Sequence, residues 1–209
     1  MGALSPAVRQ SLQRTAEVSI ETTALFLDRD GTINVEAEYL SDPDRVELIP
    51  GSAEAIREAN EAGIRVIVIT NQSGVARGLH SEADVLAVHR RLEELLAAHR
   101  ARLDALYYCP HHPDVGSPPY RKVCNCRKPK TGMLEQAAKS HGIDLASSFV
   151  VGDKCSDIEA GRNARCGTVL VLTGYGRTES GLCRPDHVAD NLYAAWHHIR
   201  GILQSRKTK

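Results

Sequence analysis

The segment with the clearest chemical potential is Asp-Arg-Asp-Gly-Thr at positions 28–32, which directly follows an apolar run at 24–27. Carboxylates two residues apart in an extended chain point to the same side, and Gly31 allows a sharp turn after them. One of the two carboxylates, Asp28 and Asp30, can therefore attack phosphorus while the other handles the leaving-group proton. The alternative for so short a segment is an Asx turn or a fragment of a calcium loop.

Further polar side chains follow later apolar runs. Thr70 and Asn71 end the second run, where a hydroxyl can hold a phosphoryl oxygen or simply form a turn. Lys128 offers an ammonium to a phosphate, although a lone lysine usually lies at the surface. Asp153 can complete an oxygen site for magnesium. Asp157, four residues later, is also explained as an acid in the first turn of a helix.

Three of the six cysteines cluster with a histidine. Cys109 and His111 are followed, after twelve intervening residues, by Cys124 and Cys126. Three sulfurs and one imidazole complete a tetrahedral zinc site, which leaves no open position and is therefore structural. His112 competes with His111 as the fourth ligand, and two unrelated cysteine pairs without metal are the alternative. We expect metal binding rather than disulfides, and interpret the remaining cysteines as small buried residues: Cys155, Cys166 and Cys183.

Short apolar runs alternate with helical patterns, which is typical of a parallel sheet with crossover helices. The predicted strands are 24–27, 65–69, 105–108, 148–151 and 168–172. The predicted helices are 52–62, 81–102, one that begins at Thr131, 156–165 and 190–204. Ser52 and Thr131 are candidate N-caps, and Ser81 with Asp84 resembles a capping box. The predicted fold is a Rossmann-like open α/β sheet flanked by helices, with ligand chemistry at the carboxyl ends of its strands.

Length and charge narrow the class of protein. We predict an N-terminal extension at 1–20 and one domain at 21–205, with a zinc loop at 109–127 inserted in it. Lys and Arg number 26, as do Asp and Glu, so the formal net charge is +0. This balance argues against a broad surface for nucleic acid or membranes. The sequence has no apolar run long enough to span a bilayer and no recognisable secretory signal, so we expect a cytoplasmic protein. We take a monomer as the default.

The four polar segments, in this order, resemble the haloacid dehalogenase superfamily of phosphatases across roughly residues 24–172. The resemblance implies that Asp28 attacks phosphorus and forms an aspartyl-phosphate. Asp30 would protonate the leaving oxygen and then activate water, while Thr70 and Lys128 hold the phosphoryl group.

The same resemblance implies a magnesium ion bound by Asp28, by the backbone carbonyl of Asp30 and by Asp153. A cation is needed there because a carboxylate does not easily approach a phosphate dianion.

Three segments narrow the resemblance to one family, the D-glycero-D-manno-heptose 1,7-bisphosphate 7-phosphatases. They are Asn-Gln-Ser-Gly-Val-Ala-Arg-Gly at 71–78, Tyr-Tyr-Cys-Pro-His-His-Pro at 107–113 and Cys-Asn-Cys-Arg-Lys-Pro at 124–129. That family acts in nucleotide-activated heptose synthesis for lipopolysaccharide core, and its members lack a large cap domain. The resemblance implies a phosphorylated sugar substrate contacted by Asn71, Arg77 and Arg127. For the two arginines the alternative is a surface or structural ion pair.

Two other functions compete with this one. Histidinol-phosphate phosphatase shares the superfamily signature and a similar zinc loop, but the segment at 71–78 favours the heptose family. A zinc-loop module that binds nucleic acid or protein without catalysis is the alternative from a different class. The complete carboxylate set and the zero net charge argue against it.

Overall fold

The computed structural model describes residues 22–207, so the predicted extension at 1–20 lies outside the described residues. Six strands form one sheet in the order β3-β2-β1-β4-β5-β6, and every neighbouring pair is parallel. The strands are β1 Ala24–Leu27, β2 Arg65–Asn71, β3 Ala105–Cys109, β4 Phe149–Gly152, β5 Gly167–Val171 and β6 His187–Ala189. This confirms the predicted α/β fold.

Helices cover both faces of the sheet. They are α1 Ser52–Glu61, α2 Glu82–Ala98, α3 Gly132–His141, α4 Cys155–Asn163, the short α5 Gly176–Glu179 and α6 Leu192–Lys207, with single 3-10 turns at Pro43–Arg45 and Leu145–Ser147. One apolar core joins α1, α2 and α6 to the sheet, and the other joins α3 and α4 to it. All four residues of β1 are buried, as expected for a strand covered on both faces. In the part of the chain from 22 to 207, no helix is long and apolar enough to cross a membrane.

The helix starts follow the sequence only in part. The capping box at Ser81 is confirmed, with Asp84 accepting from the Ser81 backbone N–H at 2.8 Å and donating its own N–H to the Ser81 hydroxyl at 3.2 Å. The cap predicted at Ser52 is wrong, because Ser52 is already helical and Gly51 precedes it with φ 84°. Thr131 makes no cap bond either, since its hydroxyl donates to the Glu135 carboxylate at 2.6 Å.

Two element boundaries also differ from the sequence prediction. Helix α2 ends at Ala98, before the predicted residue 102, because Arg100 adopts a left-handed φ of 60°. Strand β6 was not predicted; it has three residues, only one of which, Ala189, is buried, so it carries no alternating pattern.

Two of the scattered cysteines are not simple buried residues. Cys155 at the start of α4 and Cys183 before β6 form a disulfide, with 5.5 Å between their Cα atoms. Both are half-buried. The interpretation of Cys155 and Cys183 as small buried residues was therefore wrong for this pair. The physical reason is topological: β4 and β5 are neighbours, so the segments that follow them meet at one edge of the sheet. Cys166 is buried, as predicted.

We expect this disulfide to stabilise the fold by about 3 kcal/mol, because it closes a loop of 28 residues in the unfolded chain. Urea unfolding of the parent protein with and without a phosphine reductant measures that contribution. The reduced parent should fall to the stability of Cys183→Ser, which should itself be insensitive to the reductant. A parent protein that titrates with six free thiols and ignores the reductant would contradict the disulfide.

Candidate active site

The predicted polar residues come together at the carboxyl edge of the sheet. Asp28 follows β1, Thr70 lies near the end of β2 and Asp153 follows β4, and these three strands are adjacent. Parallel strands end at the same edge, which is where ligands bind in open α/β sheets. A cavity of about 480 Å³ opens at this edge. Its lining includes the sequence-predicted residues Asp28, Asp30, Thr70, Asn71, Arg127 and Lys128.

Three buried carboxylates form the floor of this site. Asp28, Asp153 and Asp157 offer oxygens that all lie within 4.8 Å of one another. Oδ2 of Asp153 accepts the backbone N–H of Tyr175 at 2.8 Å, while its Oδ1 is buried with no hydrogen-bond partner among residues 22–207. Burial and the charge of Asp28 raise the pKa of Asp153 to about 8. An unpartnered oxygen in a site with excess negative charge fits a divalent cation.

Lys128 is the cation that the structure already supplies to this cluster. Its side chain is 2% exposed, and its Nζ lies 2.9 Å from Asp28 Oδ1 and 2.6 Å from Asp157 Oδ1. It also donates to the Ile69 carbonyl at 2.6 Å. Burial lowers the pKa of Lys128, but Asp157 and Asp28 outweigh this effect and raise it overall. The ammonium is therefore held charged beside the candidate nucleophile.

Asn71 positions Lys128 through the backbone. Its Oδ1 accepts the Lys128 N–H at 3.1 Å, and its Nδ2 donates to the Lys128 carbonyl at 3.2 Å. The predicted substrate contact thus also joins the end of β2 to the end of the cysteine-rich loop.

Asp30 does not belong to the cluster of three carboxylates. Its own carboxylate is surrounded by N–H donors. Arg29 donates to both of its oxygens, at 3.0 and 2.7 Å. Asn34 donates to Oδ1 at 2.9 Å, and Gln72 donates to Oδ2 at 2.9 Å and also to the Thr70 hydroxyl. Burial alone would raise the pKa of Asp30, but Arg29 and these hydrogen bonds lower it overall.

Sequence reasoning missed several residues of this site. Asp157 belongs to the recognised spacing Gly-Asp-x-x-x-Asp, but its contact with Lys128 was not predicted, and Lys154 could have been found from its position beside Asp153. Lys154 pairs with Glu36 at 3.2 Å and lies 4.2 Å from the ring centroid of Tyr175. Glu36 and Tyr175 line the cavity from loops far apart in the chain, and no local pattern marks them.

The two predicted substrate arginines occupy different places. Arg127 lines the cavity and donates to the carbonyl of His111 at 3.2 Å, which ties it to the cysteine-rich loop. Arg77 lies 5.7 Å from the ring centroid of Tyr39. Tyr39 lines the cavity, whereas Arg77 is exposed and does not itself line it.

The cysteine-rich loop gathers four possible ligand atoms at one point. Cys126 Sγ lies 3.1 Å from Cys109 Sγ, 3.3 Å from Cys124 Sγ and 3.3 Å from His111 Nδ1. Cys109 Sγ lies 3.5 Å from Cys124 Sγ and 3.6 Å from His111 Nδ1. Ligands about 2.3 Å from a tetrahedral ion would be about 3.7 Å apart, so this cluster fits one metal ion.

The structure also decides between the two histidines. His112 is turned away from the sulfurs, because its Nδ1 accepts the backbone N–H groups of Asp114 and Val115 at 3.1 and 3.2 Å. His111 is therefore the fourth candidate ligand of this metal site.

The parallel sheet and the acidic residues at its carboxyl edge define a class, the HAD-like hydrolases. A family model described as HAD-hydrolase-like matches residues 125–195. The D-glycero-beta-D-manno-heptose-1,7-bisphosphate 7-phosphatase of Yersinia pestis is 43% identical over 170 residues, which are 81% of this chain and 90% of that protein. The D-glycero-D-manno-heptose-1,7-bisphosphate 7-phosphatase of Chlorobaculum tepidum is 44% identical over 195 residues, covering 88% of this chain and 96% of the relative.

A solved structure agrees with these relatives. The D,D-heptose 1,7-bisphosphate phosphatase from B. bronchiseptica, complexed with magnesium and phosphate, superposes with a TM-score of 0.78 at 35% identity. The superposition covers 86% of this chain and 99% of the other. The chain belongs to the heptose-1,7-bisphosphate 7-phosphatase family of HAD-like phosphatases.

Proposed function

We propose that this protein removes the 7-phosphate of D-glycero-D-manno-heptose 1,7-bisphosphate, within the synthesis of nucleotide-activated heptose. The observation that carries the proposal is the pairing of Asp28 with Lys128 at 2.9 Å beside the cavity. This arrangement puts a carboxylate nucleophile next to a fixed cation that can neutralise a phosphoryl group. The relatives' names support the choice of sugar.

The chain's own residues divide the chemistry between them. Asp28 attacks phosphorus and carries the phosphoryl group as an aspartyl-phosphate. Asp30 gives a proton to the leaving oxygen and then takes one from the attacking water. Lys128 and the Thr70 hydroxyl hold the phosphoryl oxygens.

Two metal ions complete the proposal. Asp28, Asp153 and the backbone carbonyl of Asp30 would hold magnesium, which offsets the repulsion between the carboxylate and the phosphate dianion when bound. The unpartnered Oδ1 of Asp153 supports this ligand set. Zinc is the ion that suits Cys109, His111, Cys124 and Cys126, a complete tetrahedral set.

Arg127 and Arg77 are the proposed contacts for the second phosphate. Arg127 lines the cavity from the cysteine-rich loop, and Arg77 lies 5.7 Å from the ring centroid of Tyr39, which also lines it. Two guanidinium groups suit a bisphosphate better than a monophosphate, because each can bind phosphate through paired N–H donors. A monomeric, cytoplasmic enzyme is also part of the proposal, although the Cys155–Cys183 disulfide is unusual for that compartment.

The test compares phosphate release from both anomers of the heptose bisphosphate and from histidinol phosphate, with magnesium present. We expect one bisphosphate anomer to have the highest kcat/KM. Preferred turnover of histidinol phosphate would move the protein to histidine synthesis with the same chemistry. Salt-dependent nucleic-acid binding without phosphatase activity would support the non-catalytic module instead.

We expect saturating magnesium to raise the Tm of the parent protein by about 5–10 °C, since a ligand at about 100 times its Kd contributes about 2.7 kcal/mol. Asp153→Asn should lose this shift, whereas the exposed Asp44→Asn should keep it.

The magnesium-free protein should also respond to pH through Asp153. Its pKa is raised from 3.8 to about 8, so the folded state retains a proton that the unfolded state has lost. Without magnesium, the parent should therefore lose stability as pH rises from about 4 to about 8, and Asp153→Asn should lose less. If Asp153→Asn kept the full rise in Tm with saturating magnesium, Asp153 would not be a magnesium ligand. Differential scanning fluorimetry measures all of these values.

A further inference from the structure

Arg29 is a buried cation that the proposed chemistry does not yet use. Its side chain is 0% exposed, although an unpaired charge in the interior costs several kcal/mol. Among residues 22–207, the carboxylate that pairs with it is that of Asp30. The guanidinium of Arg29 therefore makes a bidentate contact with Asp30, the candidate acid and base, beside the cavity.

The donors around Asp30 form a set that suits its carboxylate form. Each oxygen receives two N–H groups: Oδ1 from Arg29 and Asn34, and Oδ2 from Arg29 and Gln72. A carboxylate has about four lone-pair sites, so these donors fix the orientation of the group, and one of them gives up its place when Asp30 carries a proton. The side-chain amide of Gln72 also bonds the Thr70 hydroxyl at 2.9 Å, which links the orientation of Asp30 to the residue proposed to hold the phosphoryl group.

We propose that Arg29 is a positioning residue for proton transfer, which aims the Asp30 carboxyl group at the leaving oxygen. This rests on the proposed function. In the first step, the Asp28 oxygen bonds phosphorus, the bond from phosphorus to the leaving oxygen breaks, and the Asp30 proton moves to that oxygen. In the second step, water bonds phosphorus, its proton goes to Asp30, and the Asp28–phosphorus bond breaks to release phosphate.

The leaving group separates this role from a structural one. A sugar alkoxide needs a proton as it leaves, whereas p-nitrophenolate does not. We expect Arg29→Met to slow single-turnover phosphoryl transfer from the heptose bisphosphate at least about thirtyfold, since general acid catalysis contributes about 10²–10⁴-fold. The burst of p-nitrophenolate from p-nitrophenyl phosphate should stay within about threefold of the parent rate. Asp30→Asn removes the acid itself and therefore gives the largest loss of rate expected with the heptose bisphosphate. Arg29→Lys, with one donor group in place of two, should recover part of the rate that Arg29→Met loses.

Arg57→Met is the matched control, because it removes an arginine–carboxylate pair of 2.7 Å at the surface. It should change neither rate. Equal losses with both leaving groups in Arg29→Met would reduce Arg29 to a structural residue, and an unchanged sugar-phosphate rate would overturn the proposal outright. If Arg29→Met does not fold, Asn34→Leu removes one of the four donors and should show the same difference between the two leaving groups on a smaller scale; if it shows no difference, the proposal is overturned.

The proposed function fails separately, when the parent protein does not turn over the heptose bisphosphate at all. Histidinol phosphate, which is also an alkyl ester, then replaces it in the comparison with p-nitrophenyl phosphate. The role of Arg29 is then decided by how much Arg29→Met slows phosphoryl transfer from each of these two substrates, relative to the parent protein.

Discussion

Asp28→Asn should lower kcat for the sugar bisphosphate by at least about a thousandfold, because an amide oxygen is a poor nucleophile and removal of a nucleophile is among the costliest single changes in an active site. The substitution keeps the shape of the side chain. Lys128 retains Asp157 as a partner at 2.6 Å, so the fold should survive. The loss should therefore fall on the chemical step.

Two measurements check this prediction. Steady-state kinetics gives kcat, and mass spectrometry of acid-quenched parent protein should find a phosphoryl group on the peptide that contains Asp28. Asp44→Asn, the same substitution at an exposed site, should leave both unchanged. Parental turnover by a folded Asp28→Asn protein would refute the assignment of the nucleophile.

Cys109→Ser should remove the metal from the cysteine-rich loop and lower the free energy of unfolding by about 4 kcal/mol or more, which is the range for loss of a structural metal. Cys109 is buried at the end of β3, so disorder in the loop reaches the sheet. Activity should fall as well, because the loop positions two residues of the site. Arg127 donates a hydrogen bond to the carbonyl of the zinc-ligand candidate His111, and Lys128 directly follows Arg127 in the chain.

Elemental analysis should find one zinc ion per parent chain and none in Cys109→Ser. Urea unfolding of both proteins gives the stability difference. Cys166→Ser is the matched control, since it makes the same change at a buried cysteine outside the cluster; about 1 kcal/mol is expected there. Equal losses in the two variants, with no zinc in the parent, would show that the four residues do not form a metal site.

Much of the fold could be predicted because parallel strands buried on both faces leave continuous apolar runs in the sequence. The runs at 24–27 and 65–69 both became central strands. Three-residue β6 left no such run, and its existence depends on pairing with β5. Helix starts were less predictable: Ser81 caps its helix, but Ser52 does not, because Gly51 takes the left-handed conformation before it.

The residue types and spacings by themselves determined the main chemical groups of this protein: the carboxylates after β1 and β4, the lysine after the loop, and three cysteines with a histidine. These are local patterns, since each follows from a strand end or a short loop. Only the tertiary structure decided that His111 rather than His112 joins the sulfurs, that Asp157 shares Lys128 with Asp28, that Arg29 clamps Asp30, and that Cys155 meets Cys183. Each of these depends on the direction of a side chain or on the approach of segments distant in the chain, and chain connectivity alone does not specify either.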